Sequence, residues 1–275
     1  MDMFDLFRDA EQENGSGSRA PEDSPPIPSD FPPSFPQPSS LPPPDAPAMA
    51  NALVVCVPGS LIFRRNKFQL AWLHSLSATL ERLRLQGMRV ALVVGESSQT
   101  RLAARTAHQL GVPSSEIEHL NRASSGIHSS LVLRTLSKAH PHVCEDLEET
   151  LRVLENDALP VMVGSSGPYS TEARAAMLAE RMGGKLILLS DFRIPEEIFS
   201  HAQFSRMATQ GMADTEAPFI LDPLAALVMA RSRIDTFLIW GKHVDHIPEA
   251  LADGVFEGTL ITSTKSISKK GVWKE

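Results

Sequence analysis

The chain has 275 residues and a formal charge of −7, enough for one large or two small domains. Residues 1–50 hold twelve of the 21 prolines and nine carboxylates against two arginines, so that segment carries the whole net charge and the remainder is neutral. A neutral folded part excludes non-specific nucleic-acid binding, which needs a basic surface, and no apolar run reaches the roughly 18–20 residues of a membrane span.

Two cysteines, Cys56 and Cys144, make neither a CxxC pair nor a disulfide framework, which fits a reducing compartment. The acidic, proline-rich N-terminus lacks the basic and apolar regions of a signal peptide, and a soluble cytoplasmic protein is expected. Dense proline, high charge and low hydrophobicity predict a disordered tail over residues 1–50. Inside it, the acidic-hydrophobic patch at residues 3–7 and the polyproline-prone run at 42–44 are features on which a partner protein can dock, but neither motif is specific and an inert tail is the plainer reading. The folded domain is expected over residues 51–263, with a polar, basic tail at 264–275.

Within that domain the apolar runs at residues 53–57 and 90–94 read as buried parallel strands. The first enters a turn at Pro58-Gly59-Ser60 and then a helix over about 68–85, with Leu70, Leu73, Leu76, Leu80 and Leu83 on one face. The second enters Gly95-Glu96-Ser97-Ser98 and a helix over 99–110. Residues 112–150 are helical in character, most clearly at 125–138. Here His128, His140, His142 and Cys144 match no recognised metal spacing, so ordinary core and surface side chains are expected and no metal ligand is assigned. A third strand at 159–163 opens into a glycine- and serine-rich turn from Gly164, and a helix capped by Ser170 follows from Thr171. A fourth strand, 185–189, ends at Ser190-Asp191. The stretch 192–219 shows no clear periodicity. Asp222 then caps a helix with Pro223 at its first position. Its apolar stripe is read at Leu224, Leu227 and Val228, with Arg231 on the next turn. A strand at 236–240, a short helix near 248–252 and an edge strand at 259–262 complete the pattern. Alternating strands and helices of this kind predict an α/β fold. Its glycine- and serine-bearing turns fall at the carboxyl ends of the strands, where open sheets bind ligands, although a glycine after a strand is more often plain turn chemistry.

Three stretches carry a resemblance. L-D-P-L-A-A-L-V-M-A-R-S-R-I at 221–234, closing with G-T-L-I at 258–261, is similar to the D-P-L-A helix and final G-T-x-I strand of archaeal-type UMP kinases. P-V-M-V-G-S-S-G-P-Y-S-T-E-A-R-A-A-M-L-A-E at 160–180 resembles the same proteins' P-V-x-G-G segment and the helix after it, and V-V-G-E-S-S-Q-T-R at 93–101 is similar to their V-V-G-G-G-x-x-x-R segment. These are proteins of the amino-acid kinase family. The resemblance implies a three-layer α/β/α sandwich with a mostly parallel central sheet, and phosphoryl transfer from ATP, with Mg²⁺, to a small acceptor such as UMP. It also implies a homo-oligomer, a dimer or a hexamer. By the same resemblance Gly59 and Ser60 face the transferred phosphoryl group, and Ser190 and Asp191 lie in the ATP region. Gly95, Arg101, Gly164, Ser170 and Thr171 hold the acceptor.

The chain departs from the pattern at several phosphate-contacting positions. Cys56 stands where many relatives carry a lysine or an acid. Pro58-Gly59 replaces paired glycines, and Gly95-Glu96-Ser97 replaces a triple glycine. Gly167-Pro168 inverts a Pro-Gly pair, and residues 190–195 lack the usual Asp-Gly. The alternative reading is therefore a non-catalytic nucleotide- or oxyanion-binding protein, or an assembly subunit of the same fold.

Overall fold

The computed structural model describes residues 49, 51–165, 169–193, 197–210, 222–253 and 256–263. All belong to one compact unit, Gln37–Glu275, while a second unit, Met1–Pro36, lies outside the described residues. So do the tail expected at 1–50, apart from Met49, the Gly167-Pro168 pair and the tail at 264–275.

In chain order the elements are β1 (Ala52–Val57), α1 (Gly59–Ile62), β2 (Phe63–Arg64), β3 (Lys67–Phe68), α2 (Leu70–Leu85), β4 (Arg89–Val94), α3 (Ser98–Gln109) and α4 (Ser114–Thr135). There follow α5 (Leu147–Glu155), β5 (Val161–Val163), α6 (Thr171–Met182), β6 (Lys185–Ser190), β7 (Glu197–Phe199) and α7 (His201–Gln210). The last elements are α8 (Pro223–Ser232), β8 (Thr236–Trp240), a 3-10 turn at Gly241–His246, α9 (Ile247–Asp253) and β9 (Gly258–Ile261).

Seven strands form one sheet in the order β5-β4-β1-β6-β8-β9-β7. Every neighbouring pair is parallel except β8 with β9. Strand side chains alternate between the two faces, and both faces are covered. Ala52, Val54 and Cys56 of β1 join a core with α5, α6 and α8, whereas Leu53, Val55 and Val57 join one with α2, α4 and α9. The result is a three-layer α/β/α sandwich, and double coverage is why β1 and β4 read as unbroken apolar runs. On α2, Leu73, Leu76, Leu80 and Leu83 are fully buried; each contributes about 2 kcal/mol by leaving water.

Five expectations change. Leu70, expected on the buried face of α2, is 64% exposed at the start of the helix. α4 runs 22 residues and starts at Ser114, not near 125. The stretch at 192–219 contains β7 and α7, whose short lengths hide their periodicity. β9 is internal, because β7 pairs along its outer side. On α8 the buried face is Ala225, Ala226, Val228 and Met229, while Leu224, Leu227 and Arg231 are half-buried. Alanines let α8 sit close to α6, so the apolar stripe is set by small residues and not by the leucines.

The caps match their expected chemistry. Asp222 Oδ1 accepts from Leu224 N at 2.6 Å and Ala225 N at 3.3 Å, and Pro223 occupies the first turn. Ser170 Oγ accepts from Ala173 N at 3.0 Å. α6 ends at Gly183, whose φ of 61° is the left-handed cap that glycine adopts without a Cβ penalty.

Candidate functional site

From β1 the chain moves outward through β4 to β5, then returns to the other side of β1 for β6 and β8. The order therefore reverses between β1 and β6, and the crevice at the carboxyl ends of these strands is where such sheets bind ligands. The turns after β1, β4 and β5 close one side of it, and those after β6 and β8 the other.

The first side is built by backbone pairing. Gly95 N donates to Val57 O at 2.9 Å, Gly59 N to Glu96 O at 3.1 Å and Gly164 N to Val94 O at 2.7 Å. A Cβ at Gly95 would lie 2.6 Å from Thr171 Oγ1, and one at Gly164 would lie 2.6 Å from Thr171 Cγ2. The buried Thr171 thus fills the space that both glycines leave. Gly59, Ser60, Gly95, Gly164 and Thr171 converge here. Ser170 stands beside them, but its hydroxyl is engaged in capping α6. Arg101 is exposed on the first turn of α3 and lies close enough to Glu172 for its charge to favour the carboxylate form. Across the crevice, Ser190 Oγ accepts from Phe192 N at 3.1 Å, and Asp191 follows it, half-buried.

Further groups bear on the site, of which Glu172 was not singled out in the sequence. Glu172, in the first turn of α6, has its carboxyl raised above the usual range, chiefly by burial and then by the charges of Glu96 and Asp222; its own backbone N–H and Arg101 act the other way. Cys56, beneath the site, is pushed well above the usual thiol range by burial and by Glu172 and Glu96, so it is a neutral core thiol. Cys144 is raised to about 11, mainly by burial. The Glu96 carboxylate points into the site, where it accepts from Ser165 Oγ on the turn after β5.

α4 lines the same turns with polar groups. Ser125, His128 and Ser129 lie on its buried face in line with Val132 and Leu133. His128 Nδ1, Ser60 Oγ, Ser125 Oγ and Ser129 Oγ are buried with no hydrogen-bond partner among the described residues. A Cβ at Gly59 would lie 2.7 Å from His128 Nδ1, so the ring abuts the turn after β1. Burial holds His128 below its usual pKa, against the opposing effects of the Gly95 carbonyl and Glu96, so it stays neutral. The only sequence signal of this wall is the spacing of three polar residues in register with an apolar stripe. Buried polar atoms are normally paired, and a cluster of exceptions marks a site needing an explanation.

No family model matches the chain. It is 24% identical to the uridylate kinase of Methanopyrus kandleri over 188 residues, covering 64% of this chain and 84% of that one. With the uridylate kinase of Haloarcula marismortui the identity is 25% over 197 residues, covering 66% and 86%. Its fold matches the crystal structure of the Archaeoglobus fulgidus uridylate kinase with a TM-score of 0.64 at 21% identity, covering 76% of this chain and 99% of that one. The UMP kinase of Bacillus anthracis matches with a TM-score of 0.61 at 12% identity, covering 77% and 96%. Fold, strand order and sequence agree: the chain has the fold of the uridylate kinases of the amino-acid kinase family and is similar to the archaeal ones in sequence.

Proposed function

We propose that this chain transfers the γ-phosphoryl group of ATP to a small acceptor in the crevice between β1 and β6. The observation that carries the reading is the convergence of Gly59, Ser60, Gly95, Gly164 and Thr171 on one side of that crevice, with Ser190 and Asp191 on the other. The acceptor lies beneath the starts of α3 and α6, with Arg101 at its rim, and ATP lies over the ends of β6 and β8. Asp191 makes no side-chain hydrogen bond or ion pair among the described residues. A free carboxylate beside phosphates fits Mg²⁺, which takes few protein ligands and keeps several waters. Bound there, Mg²⁺ would neutralise phosphate charge. The chain's own residues supply position and exclude water, and such transfer depends mostly on positioning and charge stabilisation. UMP is the acceptor of its relatives by name and the reference acceptor for assays.

Binding at this edge is tested by thermal stability. ATP with Mg²⁺ stabilises the native state and raises Tm with the logarithm of its concentration, and Asp191→Asn weakens that response. A Tm indifferent to ATP in the intact protein would overturn the reading. One observation favours the second reading, a ligand-binding protein without turnover: Glu96 stands in the turn that relatives fill with glycine. A homo-oligomer and a soluble, cytoplasmic setting are part of the same proposal, as is a protein partner for residues 1–50.

A further inference from the structure

Glu96 sets what kind of acceptor can enter. Its carboxylate is turned inward, held by Ser165 Oγ across the gap between the turns after β4 and β5. Glu172 and Asp222 lie near enough for their charges to be felt together with it. Three acidic side chains therefore share this end with the exposed guanidinium of Arg101 among the described residues. Thr171 also packs against Gly95 and Gly164 where Cβ atoms would otherwise sit, so their glycine character gives a phosphate no extra room.

A second, independent observation points to a ligand at the same place. Ser60 is 3% exposed and His128 5% exposed. Ser60 Oγ has no hydrogen-bond partner among the described residues, and the His128 ring, set beside the Gly95 carbonyl, abuts Gly59 in the turn bonded to Glu96. Both are uncharged groups, suited to hydrogen bonds with a neutral polar molecule and carrying no positive charge to offset an anion. We infer that Glu96 excludes phosphate-bearing acceptors and that this end of the site takes a group that donates a hydrogen bond to a carboxylate, a hydroxyl or an ammonium. The inference rests on the proposed location of the acceptor and not on the rate of transfer.

UMP and uridine, which differ only by the phosphate, are the probes. Binding of each is measured by calorimetry on the intact protein, on Glu96→Gln, which keeps the size and the Ser165 contact but removes the charge, and on Glu96→Asp, which keeps the charge. The intact protein and Glu96→Asp should bind UMP no better than uridine, and Glu96→Gln should shift the preference toward UMP by about tenfold or more, as removal of a like charge at close range requires. A preference for UMP in the intact protein, or a Glu96→Gln ratio within about twofold of the original, including no detectable UMP binding by either, would overturn it. ATP-dependent stabilisation is read on the same three proteins. Its loss in the intact protein counts against the phosphotransfer reading, whereas the UMP-to-uridine ratio decides the role of Glu96.

Discussion

The two ends of α6 carry one glutamate each, and the two are treated in opposite ways. Glu180, near the C-terminal end, accepts from Arg231 Nε at 3.0 Å and from Arg231 Nη2 at 2.6 Å on each oxygen, and also from Ser232 Oγ. Its side chain is 8% exposed and both of its oxygens accept hydrogen bonds. Glu172, at the N-terminal end, has its carboxyl raised chiefly by burial and then by Glu96 and Asp222, against its own backbone N–H and Arg101. The amino edge of the sheet is therefore a completed scaffold, and the carboxyl edge keeps unsatisfied groups beside a crevice. Fully satisfied polar networks rigidify a fold, whereas perturbed and unpaired groups gather where ligands bind.

The contrast is broken hardest at the scaffold end. Glu180→Ala strands the half-buried Arg231 guanidinium and should cost about 3 kcal/mol in chemical denaturation, while ATP-dependent stabilisation is retained. An equal loss of ligand response would mean that the two ends are not separate in function. Gly95→Ala drives a methyl group onto Thr171 and should cost about 2 kcal/mol. Thr171→Ala in the same chain should recover most of that, because Thr171 supplies the three nearest atoms to the new methyl. Additive losses would show that the clash lies elsewhere. Asp222→Ala removes the cap of α8 and should cost about 1 kcal/mol.

The smallest effect is read from pH. Below the usual carboxylate range Glu172 is protonated in both folded and unfolded chains and contributes nothing. Between that range and its raised folded value, the folded state keeps a proton that the unfolded chain has released, so stability falls as pH rises through this window. Glu172→Gln should remove that decline. A decline of the same size in the variant would assign it to another group. His128 acts in the opposite direction: its lowered pKa makes stability fall as pH drops through the ordinary histidine range, where only the unfolded chain gains the proton.

The sheet was legible in the sequence because strands covered on both faces must be apolar throughout, as Leu53 to Val57 and Val90 to Val94 are. The caps at Ser170 and Asp222 were legible because capping is local chemistry. β7 and β2 are three and two residues long, too short to show a period. On α8 Val228 is buried as read, but Leu224 and Leu227 are half-buried and Ala225, Ala226 and Met229 complete the buried face. At the site, glycine-bearing turns announced their own position, since backbone spacing is written in residue type. The direction of the Glu96 side chain was not: it depends on Ser165, 69 residues away. The polar wall of α4 needed the tertiary contact with Gly59 to be noticed at all.

The most direct measurement is ADP formation by the full-length protein from ATP and Mg²⁺, across small acceptors bearing hydroxyl, amine, carboxylate or phosphate groups, UMP among them. Acceptor-dependent ADP formation above the rate with ATP alone is expected, greatest for a hydroxyl or amine acceptor and lost in Asp191→Asn. ADP formation that no acceptor raises above that background, while ATP still stabilises the fold, would contradict phosphoryl transfer.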